Sequence, residues 1–332
     1  MGRYSLKKTL LVAFVIVSSY AMAQSLVMAQ GAFPTRPVTI WVGYAAGGVT
    51  DMIARTLAEA SEKSLGQKVV VVNKTGGAGV VAVSLLTKQK PDGYTLGGYL
   101  DTPITRAPHL RDLDYDPFRD LTHIVRACLF KSVFVVKSDS PFKKWEDMVE
   151  WAKKNPGQLT YGDVGPGSVP HITMAKLALK EGFTYKTVTF AGDTPNISAV
   201  LGGHVMIANV SSLACKGYVQ ANTLRALLVH EREGLTYAPN VPTFEKMKYD
   251  IETPNAFIIS SPKGIPGAIR ERLENAFLEG IKTNTFKKLV DDSELLVREP
   301  LTGDALTEYL QKTSRAYETY IKEVGIYKID RK

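Results

Sequence analysis

The stretch VTIWVGYAAGGVTDMIARTLA, residues 38–58, carries the pattern that decides the fold. A run of β-branched and aromatic residues leads into Gly47 and Gly48, and a helical apolar period follows Thr50 and Asp51. A strand that turns directly into a helix is the repeating unit of α/β proteins. Glycines at such a turn let a ligand approach the backbone, and the first N–H groups of the helix attract an anion. The alternative is an ordinary turn in which Thr50 or Asp51 caps the helix.

Strand and helix signals alternate along the rest of the chain. The strand-like runs are KVVVVN, YTLGGYL, SVFVVK, LTYGDV, TYKTVTF, HVMIANV and LRALLV, and helical periods lie between most of them. This alternation predicts the α/β class, with parallel sheets covered by helices. A chain of 332 residues exceeds what one core usually supports, so we expect two lobes.

A single late strand, NAFIISS at 255–261, is followed mostly by helix. Such a strand makes a poor third domain, and we expect it to return to the first lobe. The predicted division is therefore 31–130 plus 254–332 for the first lobe and 131–253 for the second. Two crossings between α/β lobes form a hinge, and a hinge allows a cleft to close on a ligand.

A second Gly-rich turn, YGDVGPGSVPHITMAKLAL at 161–179, lies in the second predicted lobe. Gly165, Gly167 and Ser168 precede a helix that we expect to start near Pro170. Ligands of open α/β sheets bind beyond the carboxyl ends of the strands, so two such turns would converge on one anion. Ser168 and His171 also permit a hydrolase hypothesis, but the turn lacks the second glycine of a nucleophile elbow. We therefore predict no catalytic residue and no enzyme activity.

Other motifs predict neither a cofactor nor a metal. Residues 77–79 open a G-x-G-x-x-A pattern after a strand, as in dinucleotide-binding proteins, but residues 73–75 separate the strand from the glycines. Cys128 and Cys215 suit either one disulfide or two buried thiols. The histidines lack the spacing of metal ligands: His109, His123, His171, His204 and His230.

The chain begins with the basic segment MGRYSLKK, and the apolar run TLLVAFVIVSSYAMA follows it. This order is typical of a secretory signal peptide and predicts export to the periplasm. We expect cleavage after Ala29, which gives a signal peptide of residues 1–29, with Ala23 as the alternative site. An uncleaved anchor is the competing hypothesis, although the run is shorter than the ~20 residues that span a bilayer.

The charge pattern argues against a nucleic-acid partner. Removal of residues 1–29 would delete Arg3, Lys7 and Lys8 but no acid, which lowers the formal net charge from +8 to +5. Basic residues then alternate with acids, as in QKTSRAYETYIKE, whereas nucleic-acid binding needs them gathered on one face. The small positive excess still attracts anions.

Four segments, in this order along the chain, resemble one protein family. They are residues 33–96, with Gly-Gly-x-Thr-Asp, Leu-Gly-Gln and Pro-Asp-Gly-Tyr-Thr motifs, and residues 164–177, 189–205 and 224–247. The match is spread over nearly the whole mature chain. The set resembles the solute-binding proteins of tripartite tricarboxylate transporters, the Bug or TctC-like family.

The resemblance implies a type II periplasmic binding fold, whose two Gly-rich loops hold a ligand carboxylate through backbone N–H groups and water. The implied partners are a small carboxylate and the membrane permease subunits of a tripartite transporter, and we expect a monomer without a cofactor. A sensory role at a receptor is the alternative to transport. The ligand contacts carried over are Tyr44, Gly47, Gly48, Val49, Thr50, Asp51, Asp101, Thr102, Gly167, Ser168, Val169 and His171.

Three departures from the family pattern weaken a simple assignment to citrate. Phe-Ala-Gly-Asp at 190–193 stands where many relatives have Tyr-Lys-Gly, and Gly-Gly-His-Val-Met at 202–206 stands where Gly-Gly-Gln-Val-Asp is usual. Asp101 takes a position that is often Ser or Thr. Facing the ligand, it would repel a second carboxylate or accept a hydrogen bond from an amine or hydroxyl, whereas as a helix N-cap it would do neither. We expect a dicarboxylate, an acidic amino acid or an aromatic carboxylate.

Overall fold

A computed structural model describes residues 33–326 of the chain. The predicted signal peptide and both of its cleavage sites lie outside these residues. Between residues 33 and 326, no helix has the length and apolar character needed to cross a membrane.

The first sheet contains strands from both ends of the chain. Its six strands lie in the order β11-β4-β10-β3-β1-β2. They are β1 Val38–Val42, β2 Val69–Asn73, β3 Thr95–Leu100, β4 Leu121–Leu129, β10 Ala256–Pro262 and β11 Leu301–Thr302. The helices of this lobe are α1 Val49–Leu65, α2 Val80–Leu86, α3 Thr102–Thr105, α4 Ala107–Leu110, α9 Gly267–Lys282, α10 Asn284–Asp292 and α11 Gly303–Glu323.

The second sheet is built from one continuous part of the chain. Its five strands lie in the order β7-β6-β8-β5-β9. They are β5 Ser132–Lys137, β6 Leu159–Asp163, β7 Tyr185–Thr189, β8 Ile207–Ser211 and β9 Leu224–Val229. The helices of this lobe are α5 Trp145–Lys154, α6 Val169–Glu181, α7 Asp193–Leu201 and α8 Ser212–Gln220.

Both sheets are mixed, which corrects the prediction of parallel sheets. Strand β1 is parallel to β2 and β3, but β10 is antiparallel to β3 and β4. Strand β5 is likewise antiparallel to β8 and β9. The reason is that β5 and β10 each enter a lobe from the other lobe. They therefore begin at the edge where β1–β4 and β6–β9 end, so they run antiparallel to their partners among those strands. Strand β11 is also antiparallel to β4.

Two crossings join the lobes. In the first, Phe130 and Lys131 connect β4 to β5, and in the second, Pro254 and Asn255 lead into β10. The Phe130 N–H donates to the Asn255 carbonyl at 2.9 Å, which holds the crossings side by side. The lobe boundaries given above, 130/131 and 253/254, stay predictions.

An apolar cluster packs the lobes against each other beside the crossings. Its buried members come from α4 and α11 of the first lobe and from α6 of the second: Leu110, Val169, Ile172, Tyr317 and Ile321. Since α6 follows the second Gly-rich turn, this cluster fixes the position of that turn relative to the first lobe.

Cys128 and Cys215 are both buried free thiols. Of the two alternatives predicted for them, the structure therefore contains two buried thiols and not a disulfide.

Candidate ligand-binding site

The first Gly-rich loop joins the carboxyl end of β1 to the start of α1. Gly47 has φ +77°, in the left-handed region that favours glycine. Gly48 is the extended N-cap of α1 and offers no side chain to cap the helix. The N–H groups of Val49, Thr50 and Asp51 open the helix and have no carbonyl one turn earlier to bond. They form the backbone donor group of this loop.

Asp51 stabilises the first loop from inside. Its Oδ2 accepts hydrogen bonds from the Gly47 N–H and Arg55 Nε, both at 2.9 Å, and its Oδ1 accepts from Asn73 Nδ2 at 2.8 Å. Burial alone would raise the pKa of this carboxyl, but the hydrogen bonds from Arg55, Gly47 and Asn73 hold it below its usual range. Both the Asp51 carboxylate and the Gly47 N–H are therefore engaged within the protein.

Tyr44, Asp101 and Thr102 meet around Arg106. The Arg106 Nη2 donates to Asp101 Oδ1 at 2.9 Å and to Thr102 Oγ1 at 2.5 Å. Thr102 hydrogen-bonds the Tyr44 hydroxyl, which itself donates to the Ala78 carbonyl at 3.1 Å. Burial raises the pKa of Tyr44 above its ordinary value, so the hydroxyl stays protonated and remains a donor.

Asp101 is fully buried at the N-cap position of α3, yet its side chain makes no capping hydrogen bond. Burial raises the pKa of this carboxyl, and the adjacent Arg106 opposes that shift. Because the guanidinium balances its charge, Asp101 repels a nearby carboxylate less than an unpaired acid would. Asp101 Oδ2 has no hydrogen-bond partner within residues 33–326.

The second Gly-rich loop uses most of its own backbone donors. Pro166 and Pro170 have no N–H to offer. Between Gly165 and His171, the Val169 N–H, the Ser168 hydroxyl hydrogen and the His171 Nε2–H therefore remain as donors. The internal bonds run from Gly165 N–H to Asp163 Oδ1 at 2.9 Å, from Gly167 N–H to His171 Nδ1 at 3.0 Å, from Ser168 N–H to Gly165 O at 3.1 Å, and from His171 N–H to Ser168 Oγ at 3.3 Å.

Ser168 and His171 are arranged as a helix start. Ser168 is the N-cap of α6, and its Oγ accepts from the backbone N–H of His171. The imidazole Nδ1 accepts from Gly167, which requires the neutral ring with its proton on Nε2. Burial lowers the pKa of His171, which favours this neutral form, while the charge of Asp163 opposes the shift. A serine nucleophile needs the imidazole to accept from its own hydroxyl, and this geometry uses Nδ1 for another bond.

The predicted contact residues fall into three groups. Asn73 joins the first two, since its Nδ2 donates to the Tyr44 carbonyl at 2.9 Å as well as to Asp51. The second loop forms the third group and reaches the first lobe through Leu110. A Cβ at Gly167 would lie 2.1 Å from Leu110 Cδ1, and Gly167 has φ +76°. Ligand contact by each of these residues stays a prediction.

A large cavity lies away from these loops. It has a volume of about 430 Å³ and opens between second-lobe residues 230–254 and α11 of the first lobe. Acids and bases of both signs line it, including Glu231, Asp250, Arg298 and Lys312. Since neither Gly-rich loop contributes to its wall, this cavity is separate from the candidate site.

The third glycine cluster packs one turn against a strand. Residues 77–79 form a short 3-10 turn before α2, and Ala78 has φ +54°. A Cβ at Gly43 would lie 2.7 Å from the Gly79 Cα, so close approach of the two backbones requires glycine there. These glycines serve packing between segments of the first lobe.

Sequence reasoning missed Asn73 and Arg106 as parts of the site. Arg106 carries no motif, and its partners Pro254 and Asn255 are almost 150 residues away. A sequence signal did exist for the hydrogen bonds within the loops, because in both loops a side chain that can accept a hydrogen bond follows a glycine by four residues. Asp51 follows Gly47 at this spacing, as does His171 after Gly167.

Comparisons with known proteins agree with this architecture. The sequence profile of the "Tripartite tricarboxylate transporter family receptor" matches residues 53–326. A Cupriavidus necator protein, the UPF0065 protein in the gbd 5' region, is 32% identical over 299 residues, which cover 89% of this chain and 90% of that protein. The crystal structure of a TctC solute-binding protein from Polaromonas, without ligand, has a TM-score of 0.75 at 26% identity, with coverage of 88% and 99%.

A protein of R. palustris solved with adipate has a TM-score of 0.78 and covers 90% of this chain and 100% of its own. It is 24% identical, a likeness that shows the fold alone. The two lobes and their two crossings define a periplasmic binding protein of the two-lobed type, which confirms the predicted fold class. This chain belongs to the tripartite tricarboxylate transporter receptor family, which confirms the resemblance found in its sequence.

Proposed function

We propose that this protein captures a small carboxylate in the periplasm and delivers it to the membrane subunits of a tripartite transporter. The start of α1 is the observation that supports this most directly. There, at the carboxyl end of β1, Gly48 leaves the first helical N–H groups without a side-chain cap. Such a helix start is a binding site for a carboxylate. Membership of a receptor family and the adipate bound by one structural neighbour support the same ligand class.

The two loops contribute unequally in this proposal. The first loop supplies the N–H groups of Val49, Thr50 and Asp51, while the second supplies the Val169 N–H, the Ser168 hydroxyl and the His171 Nε2–H. One ligand carboxylate therefore rests on the α1 start, and the rest of the molecule reaches toward the second lobe. Dicarboxylates, acidic amino acids and aromatic carboxylates all have one carboxylate and a further group that extends from it.

A thermal-shift screen followed by calorimetry tests the proposal. The mature protein is mixed with di- and tricarboxylates, acidic amino acids and aromatic carboxylates, and with the uncharged amide of each acid as a matched control. A ligand with micromolar Kd, about 8 kcal/mol of binding free energy, should raise Tm by several degrees at saturating concentration. The amides should give no shift, because the helix start favours negative charge. Failure of every acid to raise Tm would contradict the proposal.

The same protein sample separates the competing functions. A hydrolase would turn over carboxylic esters and lose that turnover in Ser168→Ala, whereas a dinucleotide enzyme would be stabilised by NAD and by no carboxylate. For the transport step, uptake of the radiolabelled ligand should disappear in cells that lack this chain. Normal uptake in those cells would favour a sensory role.

A further inference from the structure

Arg106 is a buried cation next to the candidate site. It is 1% exposed and lies between α3 and α4, in the segment that runs from Asp101 to Leu110. Arginine is almost never fully buried unless it is paired. The ion pair and hydrogen bonds that Arg106 makes therefore explain how its charge can be buried.

Toward the first loop, Arg106 starts a chain of hydrogen bonds. Its Nη2 donates to Thr102 Oγ1 at 2.5 Å, so this hydroxyl oxygen is an acceptor and must direct its own hydrogen elsewhere. That hydrogen is directed at the Tyr44 hydroxyl, whose hydrogen in turn meets the Ala78 carbonyl. Arg106 thus determines that Thr102 donates to Tyr44, which is one of the predicted ligand contacts.

Toward the hinge, Arg106 binds the second crossing. Its Nη1 donates to the Pro254 carbonyl and its Nη2 to Asn255 Oδ1, both at 3.3 Å. The guanidinium lies 4.7 Å from the centre of the Tyr317 ring, and the Tyr317 hydroxyl donates to the same Pro254 carbonyl at 2.8 Å. Next to it, the Asp101 N–H donates to the Ala256 carbonyl at 2.9 Å.

We propose that Arg106 is a positioning residue that fixes Thr102, and through it the Tyr44 hydroxyl, beside the captured carboxylate and couples this site to the second crossing. The planar guanidinium is needed because it reaches Asp101, Thr102 and Pro254 together from one fixed fork of donors. A lysine keeps the charge beside Asp101 but presents a single nitrogen. The inference rests on the proposed carboxylate function only for its ligand side.

The ligand side is tested with a double-mutant cycle of Arg106→Lys and Thr102→Val, using the carboxylate with the highest affinity in the screen. Each single variant should weaken binding by at least 10-fold. The double variant should bind about as tightly as Thr102→Val alone, because Arg106 acts on the ligand through Thr102. Losses of affinity that multiply in the double variant would assign Arg106 a general structural role and overturn this half of the proposal.

The hinge side is tested without ligand by amide hydrogen exchange. The Asp101 and Phe130 amides report on the second crossing, since they bond the carbonyls of Ala256 and Asn255. Both amides should exchange at least 10-fold faster in Arg106→Met than in the wild type. Unchanged exchange at both would overturn the coupling to the crossing.

Arg126→Met is the matched control. Arg126 is also a buried arginine of the first lobe, with its guanidinium 4.6 Å from the Tyr309 ring centre and its Nη2 bonded to the Glu299 carbonyl at 2.7 Å. This variant should lose stability but keep wild-type affinity and slow exchange at Asp101 and Phe130. If the wild type binds no carboxylate while Arg106→Met still exchanges faster, the proposed function fails and the coupling to the crossing stands. If Arg106→Met does not fold, exchange in Arg106→Lys decides the hinge side.

Discussion

Gly47 and Gly48 are neighbours, but the local backbone requires glycine at only one of them. Gly47 has φ +77°, whereas Gly48 has φ −74° and ψ 165°, a conformation that any residue adopts. A Cβ at Gly48 would have the Ala45 carbonyl oxygen as its nearest neighbour, at 3.4 Å. The backbone of the loop therefore does not account for a glycine at this position, whereas the proposed approach of a ligand carboxylate does.

We predict that Gly48→Ala keeps the fold and loses the ligand. The free energy of unfolding should change by less than about 1 kcal/mol, because the backbone conformation suits alanine. Ligand affinity in calorimetry should fall at least 10-fold, since the added methyl group lies where the carboxylate meets the first N–H groups of α1. Gly217→Ala, at an exposed glycine of α8, is the control and should bind normally. Wild-type affinity in Gly48→Ala would place the ligand elsewhere.

For single residues, the sequence predicted the place in the secondary structure better than it predicted the hydrogen bonds of the side chain. Gly48 and Ser168 were expected at helix starts, and both are N-caps. The inward use of Asp51 and His171 was not expected, because local sequence does not say whether a first-turn side chain folds back onto its own loop or points outward. Arg106 was beyond prediction, since its role depends on a contact between distant parts of the chain.

Among the elements, the first crossing contains a buried ion pair that connects both lobes. Lys131 of the crossing donates to Glu294 Oε2 at 3.1 Å, and both side chains are almost fully buried. Glu294 lies between α10 and β11, and it also accepts hydrogen bonds from the backbone N–H and the hydroxyl of Thr236 in the second lobe. One acid of the first lobe thus holds the crossing and the opposite lobe.

We predict that Glu294→Ala destabilises the protein by about 3–5 kcal/mol, because it leaves the Lys131 ammonium buried without a counter-charge. Urea unfolding monitored by fluorescence measures this change. In the control Asp292→Ala, the exposed Lys288–Asp292 pair is removed, and the loss should stay below about 1 kcal/mol. Equal losses in the two variants would contradict the assignment of Glu294.

Element types followed from the sequence, but strand directions did not. The β-branched runs at 132–137 and 224–229 are strands β5 and β9 with the expected bounds. Their antiparallel pairing depends on which strands enter a lobe through a crossing, and residue periodicity carries no information about that. Strand β4, with LTHIVRACL at 121–129, was not identified, because its polar and charged residues interrupt the apolar pattern.

For the whole molecule, buried histidines predict loss of stability in mild acid. Burial lowers the pKa of His230 to about 3 and, with a smaller effect from Lys263, that of His123 to about 4. Both values lie below the ordinary pKa of about 6.5, so on acidification the unfolded chain takes up these protons first. Stability from this source is complete above pH ~6.5 and declines as the pH falls toward the folded-state pKa values, by up to ~1.4 kcal/mol per pH unit for each histidine.

Urea unfolding at pH 7, 6 and 5 measures the slope of stability against pH. His230→Gln should reduce the slope by up to one proton. Burial raises the pKa of Glu231 to about 8, which opposes the histidines over the same range. Glu231 is present in the wild type and in His230→Gln. The difference between their slopes therefore reports the contribution of His230 alone. Equal slopes in the wild type and His230→Gln would show that His230 is not the source.

Two lobes were expected from chain length, but their mutual packing was not. Leu110 and Val169 are buried together although they belong to different lobes. From the sequence, each of these residues is predicted to lie in the core of its own lobe. Contacts of this kind depend on how two finished lobes meet, which is the least local property of the fold.

The place of β10 in the first sheet determines the order in which the strands can pair as the chain emerges. This strand lies between β3 and β4, at the middle of the sheet, but it follows every strand of the second lobe in the chain. All strands of the second lobe can therefore pair before residues 256–262 emerge. Until those residues appear, β3 and β4 expose facing unpaired edges, which are sites of aggregation. Until β10 pairs with β3 and β4, the first lobe is thus the part of this protein most exposed to aggregation.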